Sequence, residues 1–287
     1  MKEQQVQAFW EQYPCGDFMV GRLDSYKENY EEFFRDFDNY RQRTEGHIAK
    51  CLQEINFSGK KTLEIGLGQG TEAEQIIRMG AQYSGVDLTE ESIRRVNVRF
   101  QLRNLVFDVL QQGSVLDLPF EDNSFDIVFS HGVLHHVPEI HQAQKEIHRV
   151  LKPDGKLVVM LYAKWSVNYL IAISIFRRLG LMTLYALDHD PGGIYSQHLA
   201  NAKEVGLLKY LKMNNFIHRN TDGPLNPYSK VYSRKSVEQD FTKFKIGKIY
   251  KRHMHAPPLP VKWLPLGNLL GWHLWVEMSP RQTTKSS

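Results

Sequence analysis

Three groups of residues carry chemistry in this sequence. The stretch LEIGLGQG, Leu63 to Gly70, sets glycines at 66, 68 and 70 directly behind an apolar run. Glycine weakens strands and helices alike, so three at alternate positions mark a turn where a ligand meets the backbone. Asp87 follows 17 residues after Gly70, at the end of the run YSGVD. A carboxylate placed there can accept both hydroxyls of a ribose. The third group, SHGVLHH, brings Ser130, His131, His135 and His136 together. Imidazole exchanges protons near neutral pH, so these histidines are candidates to touch a reacting group, His135 first. His131 and His135 also have the four-residue spacing that grips a metal on a helix. No cysteine or well-placed carboxylate nearby completes a ligand set, and no metal is expected there.

These groups need elements to hold them. KTLEIG reads as a first strand and TEAEQIIRMG as the helix after it. YSGVDL is a second strand, followed by the helix TEESIRRVNVRFQLRN with Thr89 placed as its cap. VLQQGSV and FDIVFS are further strands. The helix EIHQAQKEIHRVL stops at the turn KPDG, and KLVVMLY is a fifth strand. Strand and helix in alternation predict a parallel sheet covered on both faces. The glycine loop and the histidines then fall at its carboxyl edge, where open α/β sheets bind ligands. KFKIGKIYKRHM and GWHLWVEMS read as closing strands, the second as an edge strand.

Residues 1–58 read as a helical cap. Tyr30, Phe33, Phe34, Phe37 and Tyr40 recur at three- and four-residue spacing, on one helix face. Tyr13 and Tyr40 are candidates to face a cation, and Arg41 to pair with a carboxylate. Cys15, in YPCG, reads as a buried small residue more than as a reactive thiol. Residues 59–163 are the core and 236–280 its final strands. Residues 164–235 break the rhythm and read as a mostly helical insertion, a lid over a substrate pocket, with His189, His198 and the turn Asn226–Ser229 as polar candidates. The tail SPRQTTKSS is expected to fray.

Composition narrows the classes. The 287 residues suit one large domain with an insertion. Two cysteines, Cys15 and Cys51, make no disulfide framework, and the first ten residues have no signal-peptide core, so a cytoplasmic setting is expected. Residues 201–287 hold 15 Lys and Arg against 5 Asp and Glu, leaving 21 against 27 in the first 200. Such a basic third suits an anionic substrate, a membrane surface or nucleic acid, or is a solvated face. Arg177 and Arg178 near the middle of the apolar stretch Val167–Leu187 argue against a membrane span, though not against peripheral contact.

Taken in order, Glu64–Gly70, Asp87, GSVLDLPFEDNSFDIVFSHGVLHHV and LKPDGKLVV resemble a class I S-adenosylmethionine-dependent methyltransferase of the UbiE-like, type 11 kind, over roughly residues 60–163. The resemblance implies a Rossmann-like, seven-stranded, mostly parallel sheet with a reversed last strand. It implies that Glu64, Gly66, Gly68 and Gly70 surround the methionine moiety, and that Asp87, beside Leu88, takes the ribose. Ser114, Val115 and Leu116 would lie by the adenine, and Ser130 and His131 by the methionine part. Relatives usually carry an aspartate where Ser114 stands, and a smaller residue where Leu67 stands. GxGxG in place of GxGxxG disfavours a dehydrogenase.

The function expected is methyl transfer to an O, N or S atom of a small organic acceptor by in-line displacement, releasing S-adenosyl-L-homocysteine. Two alternatives stand beside it: a quinone or lipid methyltransferase at a membrane surface, and a cofactor-binding protein without catalysis. No nucleic-acid module and no base-methylation motif after the fourth strand is present, so no nucleic-acid partner is expected. The oligomeric state is left open.

Overall fold

The computed structural model describes residues 3–281; the tail expected to fray lies outside them from Gln282 onward. Eight strands make one sheet: β1 Lys61–Ile65, β2 Gln82–Asp87, β3 Val109–Gln112, β4 Phe125–His131, β5 Leu151–Ala163, β6 Val231–Tyr232, β7 Phe244–Arg252 and β8 His273–Pro280. Their order is β3-β2-β1-β4-β5-β8-β7, with the two-residue β6 paired to the end of β5. Strands β1 to β5 run parallel and β8 is antiparallel to both neighbours. The chain winds outward from β1 in both directions. The loops after β1 and β4 therefore diverge and leave a crevice at the sheet's carboxyl edge.

β8 is not the edge strand expected from the sequence. It lies between β5 and β7, with Leu274, Trp275 and Val276 buried. β7 takes the edge, and it carries Lys245, Lys248, Lys251 and Arg252, charges that discourage pairing with another chain. The apolar run of β8 needs cover on both faces, which only an inner position provides.

The helices follow from local signals. Thr89 accepts a bond from Ser92 N at 3.4 Å and starts the helix Glu90–Leu102, whose Val96 and Phe100 face the sheet. Ile140–Val150 packs Ile140, Ala143 and Ile147 on the opposite face. The N-terminal helices Glu3–Gln12 and Tyr30–Glu45 lie over the crevice, Asn29 capping the second with a bond from Glu32 N at 3.2 Å, while His47–Gln53 packs Ile48, Cys51 and Leu52 into the core beside Ile76. Two buried arginines pin this cap. Arg99 sits 4.5 Å below the Phe34 ring centre and reaches Asp38 at 2.8 Å and Glu74 at 3.0 Å. Arg95 reaches Asp17 and Glu91, both at 2.6 Å.

Between β5 and β6 the chain forms helices Asn168–Arg177 (wound as a π-helix), Arg178–Ala186, Gly193–Val205, Leu207–Tyr210 and Met213–Arg219. Ile173, Leu199, Tyr210 and Phe216 give them a core of their own against Trp272. The 19 residues Asn168–Ala186 reach a mean hydropathy of 1.3, with only 17% of that window buried, so by length and composition they pass for a membrane span. Arg177 ties the stretch to the protein body through Asn220 O at 2.6 Å and Pro257 O at 2.9 Å.

Candidate active site

The crevice holds a cavity of about 210 Å³. Its first end is built by the turn after β1. Gly66 N bonds to Val86 O at 2.8 Å, and Gly66 adopts φ +79°. A Cβ there would fall 2.2 Å from Val133 Cγ2, so conformation and space both demand glycine. Glu64, Gly66, Gly68, Asp87, Leu88 and Val115 line this end, all of them expected from the sequence.

Asp87 does more than face a ligand. Its Oδ2 accepts from Leu67 N at 2.7 Å, and its Oδ1 accepts from Thr89 N at 2.9 Å and Thr89 Oγ1 at 2.8 Å. The carboxylate thus knits the glycine loop to the next helix, while burial pushes its pKa up. Glu64 accepts from Tyr83 Oη at 2.7 Å, and burial holds its carboxyl well above the ordinary range. Arg41 and His131 also reach the cavity. Arg41 pairs with Glu45 and Glu72 and keeps its Nε without a partner. His131 is half-buried; desolvation drives its pKa well down and keeps the ring neutral, and its buried Nε2 has no partner.

Several expected residues lie elsewhere. Gly70 turns the chain at φ +77° into the helix Thr71–Arg78 and packs against Val96 and Arg99, outside the cavity. Ser114 points away: its Oγ donates to Glu3 and accepts from Leu116 N at 2.9 Å, which closes the turn to Asp117. Leu116 packs into the core beside it. Ser130 is buried and donates to Ile65 O at 3.0 Å, joining β4 to β1. Tyr13 stacks on Phe18, and Tyr40 lies on a different helix face from the residues that reach the cavity. Phe37, Arg41 and Glu45 occupy that inner face, and Trp10 joins them from the first helix. Tyr40 shares the broad apolar stripe with Phe37, and only packing decides which edge of that stripe meets the cavity. Cys15 lines the cavity, but burial pushes its thiol up to about 12, so it is no nucleophile.

The second end of the cavity differs most from expectation. His135 does not reach it. It is fully buried, its ring centre 3.7 Å from that of Tyr162, both nitrogens without partners. His136 reaches it instead, together with Tyr162 and Asp222. His136 Nδ1 donates to Tyr228 O at 2.7 Å; a carbonyl only accepts, so Nδ1 carries a proton and Nε2 is the nitrogen left to exchange one with the cavity. Asp222 Oδ2 lies 3.4 Å from that Nε2, and its Oδ1 accepts from Tyr162 Oη at 2.8 Å. Tyr162 ends the fifth strand and Asp222 sits in the turn TDGP, so no spacing in the sequence joins either to His136. His189 is exposed, His198 bonds to Tyr210 Oη at 2.7 Å, and Asn226 and Ser229 satisfy one another at 3.0 Å; none lines the cavity.

Residues 63–159 match the family described as "Methyltransferase domain". Residues 63–159 are a methyltransferase domain. A phthiotriol/phenolphthiotriol dimycocerosates methyltransferase of Mycobacterium leprae is 36% identical over 110 residues, 38% of this chain and 40% of that protein. A sterol 24-C-methyltransferase of Gibberella zeae is 36% identical over 100 residues, 34% of this chain and 26% of that protein. The methyltransferase domain therefore aligns over less than half the length of these curated relatives. Among solved structures, geranyl diphosphate C-methyltransferase of Streptomyces coelicolor, described with Mg2+, geranyl diphosphate and S-adenosyl-L-homocysteine, superposes with a TM-score of 0.56 at 13% identity, over 97% of this chain and 98% of that one. At that identity the likeness is one of fold. It extends beyond the methyltransferase domain to the cap and the insertion.

Proposed function

We propose that the protein is an S-adenosylmethionine-dependent methyltransferase that methylates a hydroxyl oxygen of a small, largely apolar acceptor. The observation that carries this reading is one cavity with the glycine loop and Asp87 at one end and the His136–Asp222–Tyr162 cluster at the other. The residues fit the cofactor. Gly66 and Gly68 leave the backbone bare, and the unpartnered Gln69 Oε1 and Arg41 Nε offer an acceptor and a donor to an amino acid's two charged ends. Asp87 and Leu88 take the ribose; Val115 takes the adenine, with Glu3 supplying the carboxylate absent at Ser114. When bound, S-adenosylmethionine supplies a methyl group already activated on a sulfonium. The chain's own work is to align the acceptor, exclude water and remove a proton. His136 Nε2 takes that proton, and Asp222 steadies the imidazolium. Cytoplasmic residence goes with this reading.

Calorimetric titration with S-adenosylmethionine, followed by a screen of alcohols and phenols for S-adenosylhomocysteine release, tests it. Asp87→Ala should abolish binding in a protein that still folds. Absence of binding by the folded wild type, with and without acceptors, overturns the reading. Binding without turnover on any acceptor would favour the non-catalytic alternative.

A second reading is favoured by one surface. Ile175, Phe176, Leu179 and Met182 are exposed on Asn168–Ala186, and Trp263, 85% exposed, stands beside Lys262. These exposed apolar side chains, with Lys262 beside one of them, suit an acceptor drawn from a lipid surface, in line with the lipid and sterol names of the relatives. Co-sedimentation with anionic vesicles, lost at high salt and lost in Phe176→Ser/Trp263→Ser, supports it; equal recovery with and without vesicles sinks it.

A further inference from the structure

We propose that Glu45, His253 and His273 form a site for a divalent first-row transition ion of the zinc type, set in the wall of the cavity. The three residues come from distant parts of the chain. Glu45 ends the helix Tyr30–Glu45, His253 follows β7, and His273 opens β8. One ligand atom from each lies within 4.8 Å of the other two. Glu45 Oε1 is 3.7 Å from His273 Nε2 and 4.0 Å from His253 Nε2. A tetrahedral ion with bonds of 2.0–2.1 Å holds its ligands about 3.4 Å apart, so Glu45 Oε1 must close on the two imidazoles by about 0.3 and 0.6 Å from 3.7 and 4.0 Å, and the imidazoles on each other by no more than about 1.4 Å from the 4.8 Å limit.

Independent features support a ligand set over a chance cluster. His47 Nε2 lies 3.0 Å from His273 Nδ1, which fixes that ring with Nε2 turned to Glu45, as outer partners do for ligating imidazoles. The His47 ring also stacks on His253, centres 4.9 Å apart. His253 itself adopts φ +68°, a left-handed conformation that aims its side chain inward from the end of β7. Glu45 gives its other oxygen to Arg41, leaving Oε1 for the histidines. Arg41 brings a positive charge close to the site, and Glu72 answers it.

Two imidazoles and one carboxylate suit a zinc-type ion and leave a coordination position open. Glu45 and His273 line the cavity, so that position faces the space that cofactor and acceptor share. An oxygen of the acceptor would occupy it. This last step rests on the methyltransferase reading; the metal site does not.

The test is Co2+ and Zn2+ titration of the chelator-treated full chain, without cofactor or acceptor. The visible band of Co2+ reports a low-symmetry site, and calorimetry reports stoichiometry. One saturable equivalent is expected, weakened at least 100-fold in His253→Asn and in Glu45→Gln, 10- to 100-fold in His47→Asn, and unchanged in His141→Asn, which removes an exposed histidine. Circular dichroism identifies any variant that fails to fold, and the remaining variants then decide. Wild type that binds neither ion below 1 mM overturns the proposal. So does binding that survives both ligand substitutions.

Discussion

His136 Nε2 lies 3.4 Å from Asp222 Oδ2, although 86 residues separate them, and Tyr162 Oη holds the same carboxylate from the other side at 2.8 Å. This contact gives the cavity a proton acceptor with a partner for the charge it would gain. His136→Gln should lower turnover by about 10²–10⁴-fold and leave S-adenosylmethionine affinity within about twofold. Asp222→Asn should act in the same direction and more weakly. Single-turnover methyl transfer with cofactor titration separates the two effects; a matched loss of binding would place His136 in the cofactor site instead.

Glu3 reaches Ser114 from the first helix and brings a carboxylate to the place where the resemblance leads one to expect an aspartate. Glu3→Ala should weaken cofactor binding about tenfold, the size of one charge-assisted hydrogen bond. Ser114→Asp alone sets two carboxylates together and should not help. Ser114→Asp in the Glu3→Ala background should restore affinity. Calorimetry on the three variants checks this.

Gly66 stands where a Cβ would meet Val133 at 2.2 Å. Gly66→Ala should destabilise by about 2 kcal/mol, combining a left-handed backbone with a clash. Adding Val133→Ala should relieve the clash and leave the backbone cost of ~1 kcal/mol. Urea melts of the single and double variants measure both parts.

Arg99→Met removes the guanidinium under Phe34 and strands Asp38 and Glu74, which are partly exposed and can regain water. The expected loss is about 2 kcal/mol, concentrated in the cap. Limited proteolysis should cut first between residues 20 and 30, and cofactor binding should weaken because the cap closes the cavity.

Stability should fall as pH drops from 6.5 toward 4. Burial lowers His198 from 6.5 to about 4, with Arg177 and Arg219 adding to the shift, and holds His135 well below its ordinary value beside His136 and His131. In this window the unfolded chain binds protons that the folded chain refuses, so unfolding gains with acid. Glu64 and Asp87 work against this, since their raised carboxyls take up protons in the folded state. The lowered histidines, which also include His131, His148 and His218, outnumber these two, and urea midpoints at pH 7, 5.5 and 4.5 should decline in that order.

Much of the first end of the cavity was legible in the sequence. The alternation of strands and helices, the glycines at 66 and 68, and Asp87 at a strand end are local signals. Backbone geometry ties each of them to one place in a doubly wound sheet. Gly70, Ser114 and Ser130 follow the same strands, yet Gly70 packs against Val96 and Arg99 and the two serine hydroxyls turn to Glu3 and Ile65 O. A residue's address comes from the strand it follows, whereas its orientation comes from what packs on either side. Ser130 faces Ile65 O because β4 neighbours β1, a pairing no local pattern states.

The remaining features depend on tertiary contact alone. An apolar stripe shows that a helix is buried and not which residue of it meets a cavity, so Phe37 and Arg41 took the place expected of Tyr40. His135 and His136 are adjacent and chemically alike in sequence. Only the fold puts one behind Tyr162 and the other before Asp222. Glu45, His253 and His273 have no spacing to read, because three elements must first be packed before their ligand atoms meet. The sequence by itself determined the sheet and the loop at its edge, since these rest on short-range periodicity and backbone freedom. Tertiary structure alone decided which side chains share the cavity, since that depends on contacts between residues tens to hundreds of positions apart.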